Sequence, residues 1–267
     1  MNAGHQAFLW LGLQALALWP QWMWYGRRLV DGSDEPLGVL ALLALAVLLF
    51  RHARQMRRVP DWRWILVACA LTVGSAVALQ VTPLLSALVG VLALGAGVVA
   101  WLNPGVPRLP CAGFLVLSLP LLSSLQFYAG YPLRAVTAQL SSWLLQIMGF
   151  EAGRSGSSML VSGQLVIVDA PCSGIQMAWM AYFAAIAAAA ALAVPDRILL
   201  RRLPLVGLLV MAGNTLRNTI LVAWEASGRP PGETWHQAIG LIVLAGVCLL
   251  AVQWMRKEIR REVTHAA

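Results

Sequence analysis

The sequence predicts an all-α polytopic membrane protein of about eight transmembrane helices, with a small extracytoplasmic helix and hairpin inserted before helix six. Three observations carry that prediction. Of 267 residues, 60% are hydrophobic and 11% charged, and the mean hydropathy is +0.74, more apolar than a soluble core of this size can enclose. Apolar runs near the roughly 20 residues that cross a hydrocarbon core recur along the chain. The net charge of +8 gathers in short clusters between those runs, not in a stripe with interleaved aromatics. That pattern speaks for membrane topology and against nucleic acid.

The eight runs lie at 7–25, 36–50, 64–80, 84–102, 110–128, 172–194, 203–224 and 237–255. The second is short, and only "QVTP" separates the third from the fourth. No Lys or Arg precedes the first run and no small-residue cleavage pattern follows it, so it is expected to stay as a helix. Trp10, Trp19, Trp22 and Trp24 suit interface anchoring. The Ala-rich run 184–193 reads as close helix packing. With no fixed-period repeat, low-complexity linker or composition break, residues 1–267 read as one membrane domain.

Orientation follows from Lys and Arg, which collect in cytoplasmic loops. The densest cluster is "RHARQMRRVPDWR" (51–63). If it is cytoplasmic, alternation places Arg108, "PDRILLRR" (195–202) and the tail "RKEIRRE" (256–262) on the same side, giving thirteen of nineteen basic residues. The other side receives Arg27, Arg28, Arg134, Arg154 and Arg229 with seven of the eleven acids. The expected topology is an inner-membrane protein with both termini cytoplasmic.

The long polar excursion is 129–171, between helices five and six. Its first part, "YPLRAVTAQLSSWLLQIMGF" (131–150), spaces Leu133, Val136, Leu140, Trp143, Leu144 and Ile147 for an interfacial helix. Its second, "MLVSGQLVIVDA" (159–170), has strand composition around Ser-Gly and predicts a hairpin leading to Cys172.

Cys69, Cys111 and Cys248 sit in apolar runs, where a thiol behaves as a small hydrophobe. Cys172 instead opens helix six in "VDAPCSGIQMAWM", where Ser173 or its neighbours can cap free amides and the helix dipole favours a thiolate. By residue type and position alone, a small buried residue at a tight turn accounts for Cys172 equally well. Arg217, in "GNTLRNTILVAW", lies about 10 Å below the outer surface by its spacing from Trp224. An Arg at mid-bilayer costs roughly 2.5 to 3.5 kcal/mol, which implies a partner or a function unless it snorkels to lipid phosphate. His236 opens helix eight. Charge-derived topology puts these three residues on one side at similar depth, and a thiolate, a proton carrier and an oxyanion partner are what cysteine acyl transfer requires.

From "YPLRAVTAQLSSWLLQIMG" through "DAPCSGIQ" and "GNTLRNTI" to "HQAIG", the second half of the chain resembles the exosortase/archaeosortase transpeptidases. The resemblance implies a catalytic Cys172, Arg217 and His236. It implies substrates that are secreted proteins ending in a short Pro-Glu-Pro-like motif, a transmembrane helix and a basic cluster. The tail is cut off through a thioester, and the new carboxyl end is joined to an acceptor such as a lipid or cell-surface polymer. No metal or other cofactor is needed, and the remaining partners are membrane lipids, not nucleic acid. Asn214, one turn before Arg217, is a candidate to orient its guanidinium. Ser173 and Gly174 are supporting candidates at the turn, and Asp169 is either an orienter for His236 or a turn former.

Two other classes compete. "GRSG" (153–156) matches the Gly-x-Ser-Gly of rhomboid-type serine proteases, but there the Ser opens a membrane helix, whereas Ser155 lies in the polar excursion. A transporter or a non-catalytic membrane protein is the other alternative. Against a transporter, intramembrane charge is limited to Arg217, and no helix pair shows matched Gly/Pro breaks. His5, His52 and His265 have no metal-site spacing.

Overall fold

The computed structural model describes residues 3–30, 32, 35–167, 173–228 and 232–266. It is 78% helical. Among the described residues there are ten α-helices and a three-stranded sheet. The chain divides into two compact units, one of residues 1–121 and 189–197, the other of 122–188 and 198–267.

In the first unit, the run expected at 7–25 is two helices, α1 (Ala3–Ala17) and α2 (Trp19–Val30), parted at Leu18. Pro20 supplies the reason: it has no N–H to continue the hydrogen bonding of α1, and it fits best in the first turn of a new helix. Next come α3 (Leu37–Arg51), α4 (Trp62–Ala78) and α5 (Pro83–Trp101). The weak boundary at "QVTP" is a capped turn: Thr82 Oγ1 accepts from Leu85 N at 3.1 Å, and Pro83 takes the first helical position, where its missing N–H costs nothing. Asp61 likewise caps α4 by accepting from Arg63 N.

The basic segments 51–63 and 108, with the start of the segment at 195, meet in this unit. Arg57 N donates to Trp101 O at 2.9 Å, Met56 bridges to Leu102, and Asp196 accepts from the amides of Arg108 and Leu109 at 3.0 Å each. That carboxylate satisfies two free donors at the start of α6 (Leu109–Leu117).

The second unit opens with α7 (Leu122–Ile147), and here the expectation is corrected. The apolar run 110–128 and the interfacial helix 131–150 are not separate elements. The break falls at 118–121, around Pro120, and α7 then runs unbroken through Pro132. A proline inside a helix removes one backbone hydrogen bond but need not end it.

The excursion then forms β1 (Ala152–Ser155), β2 (Ser158–Val161) and β3 (Gln164–Ile167), all antiparallel. The expected hairpin is β2–β3. Its two-residue turn is Ser162-Gly163, with φ of 49° and 81°, the paired positive values of a tight hairpin. β1 is an added strand, and Ser155 lies at its end instead of opening a helix. Met159 and Val161 bury against Ala138 and Leu145 of α7 and against Val222, seating the sheet on the helices.

Three helices complete this unit. They are α8 (Ile175–Ala191), α9 (Asp196–Ala226) and α10 (Glu233–Ala266). "PDRILLRR", expected as a loop, is mostly the first turns of α9, since only Pro204 interrupts good helix formers there and a single proline does not stop the helix.

Length and composition do not reproduce eight spans. Pro83–Trp101, Asp196–Ala226 and Glu233–Lys257 are long and apolar enough, with a fourth if Leu109–Leu117 and Leu122–Ile147 count as one. Leu37–Arg51, Trp62–Ala78 and Ile175–Ala191 are apolar but only 15, 17 and 17 residues long. At 1.5 Å per residue those lengths fall short of a hydrocarbon core of about 30 Å.

Candidate functional site

The site is built on the middle of α9. Asn214, Thr215, Asn218 and Thr219 are all buried there, at 1 to 4% exposure, in a helix that is otherwise largely apolar. Two of them satisfy themselves locally: Asn218 Nδ2 donates to Asn214 O and Thr219 Oγ1 to Thr215 O, both at 2.8 Å. The others meet α7, whose facing residues Thr137, Ala138, Ser141 and Ser142 are small and buried, which lets two helices approach closely. Asn214 Nδ2 donates to Thr137 Oγ1 at 3.2 Å, and Ser141 Oγ donates to Thr215 O at 3.2 Å.

Asn214 also sets the start of α8. Gly174 has φ +80°, and a Cβ built on it would lie 3.0 Å from Asn214 Cγ. Glycine is therefore required there twice, by backbone conformation and by the asparagine pressed against it. The preceding residue, Ser173, is buried; its Oγ accepts from Ile175 N at 3.4 Å and donates to Gln126 Oε1 of α7 at 2.7 Å.

The third part comes from α10. His236 lies in its first turn, and Arg217 Nη2 is 3.4 Å from His236 Nε2, with both side chains half-buried. A guanidinium only donates, so this hydrogen bond requires a neutral imidazole that accepts at Nε2 and carries its proton on Nδ1. One turn further along α10, Gly240 leaves room for the arginine: a Cβ there would stand 3.1 Å from Arg217 Nε. Trp224, near the end of α9, packs on Trp235, with ring centroids 5.8 Å apart.

Of the residues singled out in the sequence, Arg217 and His236 are brought together from separate helices, and Asn214, Ser173 and Gly174 form one contiguous turn contact. Cys172 and Asp169 lie outside the described residues. Cys69, Cys111 and Cys248 are free thiols. Sequence reasoning missed Gln126, Thr137 and Gly240. Gln126 had a signal as a lone amide near the end of an apolar run, and Gly240 as the residue one turn after His236. Thr137 had none beyond its place in a mixed helix.

A helical integral membrane protein with a buried polar ridge and an Arg-His pair in its C-terminal helices is the class these features define. Within that class, residues 28–253 match the family described as transmembrane exosortase, and the chain belongs to that family. No curated protein and no solved structure matches it.

Proposed function

We propose that the protein is a membrane-embedded cysteine transpeptidase acting on secreted proteins whose C-terminal tail carries a Pro-Glu-Pro-like motif, an apolar helix and a basic cluster. The contact of Arg217 with His236, two polar side chains brought together from separate helices, is the observation that carries this reading. An intramembrane arginine is costly unless it is used. The active site faces the extracytoplasmic side, as the thirteen-to-five distribution of basic residues supports.

In the first step His236 takes the Cys172 thiol proton at Nε2, and the thiolate attacks the scissile carbonyl. Nε2 has a single lone pair, so the Arg217 donor leaves it before the proton arrives, and that Nη2 donor turns to the oxyanion as it develops. Collapse breaks the C–N bond, His236 returns the proton to the leaving amine, and the upstream portion remains as a thioester. A nucleophilic acceptor, deprotonated by His236, attacks the thioester and releases the Cys172 thiolate, which regains a proton from His236.

The test is to co-express a protein ending in such a tail with wild type, Cys172→Ala and His236→Ala. A hydroxylamine-sensitive species at the summed mass is expected on a denaturing gel, accumulating in His236→Ala if release is slowed more than attack. Normal cleavage by Cys172→Ala would overturn the cysteine mechanism.

A further inference from the structure

We infer that Gln126, a residue of α7, is a positioning residue for the nucleophile, and that it acts through the hydroxyl of Ser173. The inference rests on the proposed cysteine mechanism and deepens it. Ser173 directly follows Cys172 in the sequence, and that adjacency links Gln126 to the nucleophile.

The hydrogen bonds define the direction of each group. Ile175 N–H points to Ser173 Oγ, so the serine oxygen is an acceptor toward the helix and its proton is free to donate outward. It donates to Gln126 Oε1 at 2.7 Å, the shorter bond of the two. This relay orients the glutamine amide with its oxygen on the serine. The carboxamide stem lies along α7 because Gly130, one turn later, has no side chain: a Cβ there would come within 3.3 Å of Gln126 Cδ and Nε2. Gln126 is thus held on its own helix by Gly130 and reaches from it to the first residues of α8. On the other flank, Asn214 presses on Gly174. Ser173 and Gly174, the two residues that follow Cys172 in the sequence, are thus flanked by an amide of α7 and an amide of α9.

A residue that only filled space would be replaced by its apolar isostere without loss. Gln126→Met keeps length and helix propensity but removes the acceptor, whereas Gln126→Glu keeps an acceptor and adds a negative charge. The readouts are the pH profile of Cys172 alkylation by iodoacetamide and the turnover of a co-expressed tail-bearing protein. Alkylation is measured in full-length protein whose Cys69, Cys111 and Cys248 are changed to Ala.

Gln126→Met should lower turnover by about tenfold or more, with substrate capture little changed, as displacing a reacting group by a fraction of an ångström does. Ser173→Ala should do the same, and the double variant should be no worse than either alone, because the two groups act as one unit. Gln126→Glu should recover much of that turnover while moving the alkylation profile to higher pH, since a nearby carboxylate disfavours the thiolate. Wild-type turnover and an unshifted alkylation profile in both Gln126→Met and Ser173→Ala would overturn the inference. If Gln126→Met does not fold, Ser173→Ala and Gln126→Glu decide it by the same criteria. Loss of activity in Cys172→Ala alongside normal Gln126 variants sinks only the positioning role, whereas normal activity in Cys172→Ala sinks the mechanism beneath it.

Discussion

Each unit of the chain buries a set of polar side chains among apolar helices, and the two sets differ in kind. In the N-terminal unit, Gln21 Nε2 of α2 donates to Ser75 Oγ of α4 at 2.6 Å and to Ser86 Oγ of α5 at 2.8 Å. The two serines exchange hydroxyl-to-carbonyl bonds, Ser75 Oγ to Ser86 O at 2.9 Å and Ser86 Oγ to Ser75 O at 2.8 Å. Gln14 Nε2 of α1 reaches Ala93 O of α5 at 2.8 Å. Every member is neutral, and what the set accomplishes is to hold four helices together, worth about 0.6 to 2 kcal/mol per hydrogen bond in a membrane. In the C-terminal unit the ridge of Asn214, Thr215 and Thr137 does similar work, but it borders a guanidinium and an imidazole. A charge within a bilayer costs more than such a bond returns. Buried polarity alone therefore marks helix association, and we propose that a charge set beside it marks chemistry.

The largest test of that distinction is Arg217→Lys, compared with Arg217→Ala. A guanidinium offers a planar fork of donors to an oxyanion, whereas an ammonium is a point charge that can shed its proton when buried. Both variants are expected to lower processing of a tail-bearing substrate by about a hundredfold or more, the usual scale for loss of an oxyanion partner. Should Lys retain most of the processing, Arg217 would need only to be positive, and its pairing with His236 would carry no geometric meaning.

Next in size are the two glycines that shape the site. Gly174→Ala forces a β-carbon into a left-handed backbone at a cost of about 1 to 2 kcal/mol and drives it toward Asn214. Gly240→Ala puts a better helix former on α10 and disturbs only the space occupied by Arg217. Gly174→Ala should reduce both folded yield and processing. Gly240→Ala should cut processing per folded molecule by about tenfold with folded yield unchanged, on the reasoning that a small misplacement near the chemistry costs rate and not stability. Detergent-solubilised yield and substrate cleavage, measured on the same membranes, separate the two. Full processing by Gly240→Ala would mean that the arginine has room to spare.

What was legible in the sequence follows the same division. Composition and periodicity identified helices and the membrane because hydrophobic burial is a local, additive signal, and they placed α3, α4 and α5 within a few residues. Arg217 stood out because its cost makes it conspicuous, His236 only through the side and depth it shares with Cys172 and Arg217, and the Ser162-Gly163 turn because positive φ narrows the choice of residue. The count of spans was not legible: whether Pro120 or Pro132 interrupts a helix depends on what packs around each, and 15 to 17 apolar residues sit at the margin of a bilayer's thickness. Nor was the contact of Gln126 with Ser173, which joins residues 47 apart through a tertiary arrangement that no local pattern encodes.

The smallest and most discriminating effect is a matched pair of near-isosteric changes, Gln21→Met in one unit and Thr137→Val in the other. Gln21→Met removes two donated bonds, but Ser75 and Ser86 keep their exchange, and Gln21 Oε1, which takes no hydrogen bond among the described residues, is removed with it. The cost in stability should be about 1 kcal/mol or less, seen as a small fall in the unfolding midpoint, with processing per folded molecule unchanged. Thr137→Val takes the acceptor away from Asn214 Nδ2, and Asn214 is the residue that presses on Gly174. Its stability cost should be of the same order, about 1 kcal/mol, because a buried amide loses one of its hydrogen bonds, yet processing should fall severalfold as the support behind Gly174 is loosened. Equal stability loss with unequal processing is the expected signature. If both variants lower processing alike, the neutral network of the N-terminal unit bears on catalysis as much as the ridge on α9, and the separation of association from chemistry drawn from these two sets is wrong.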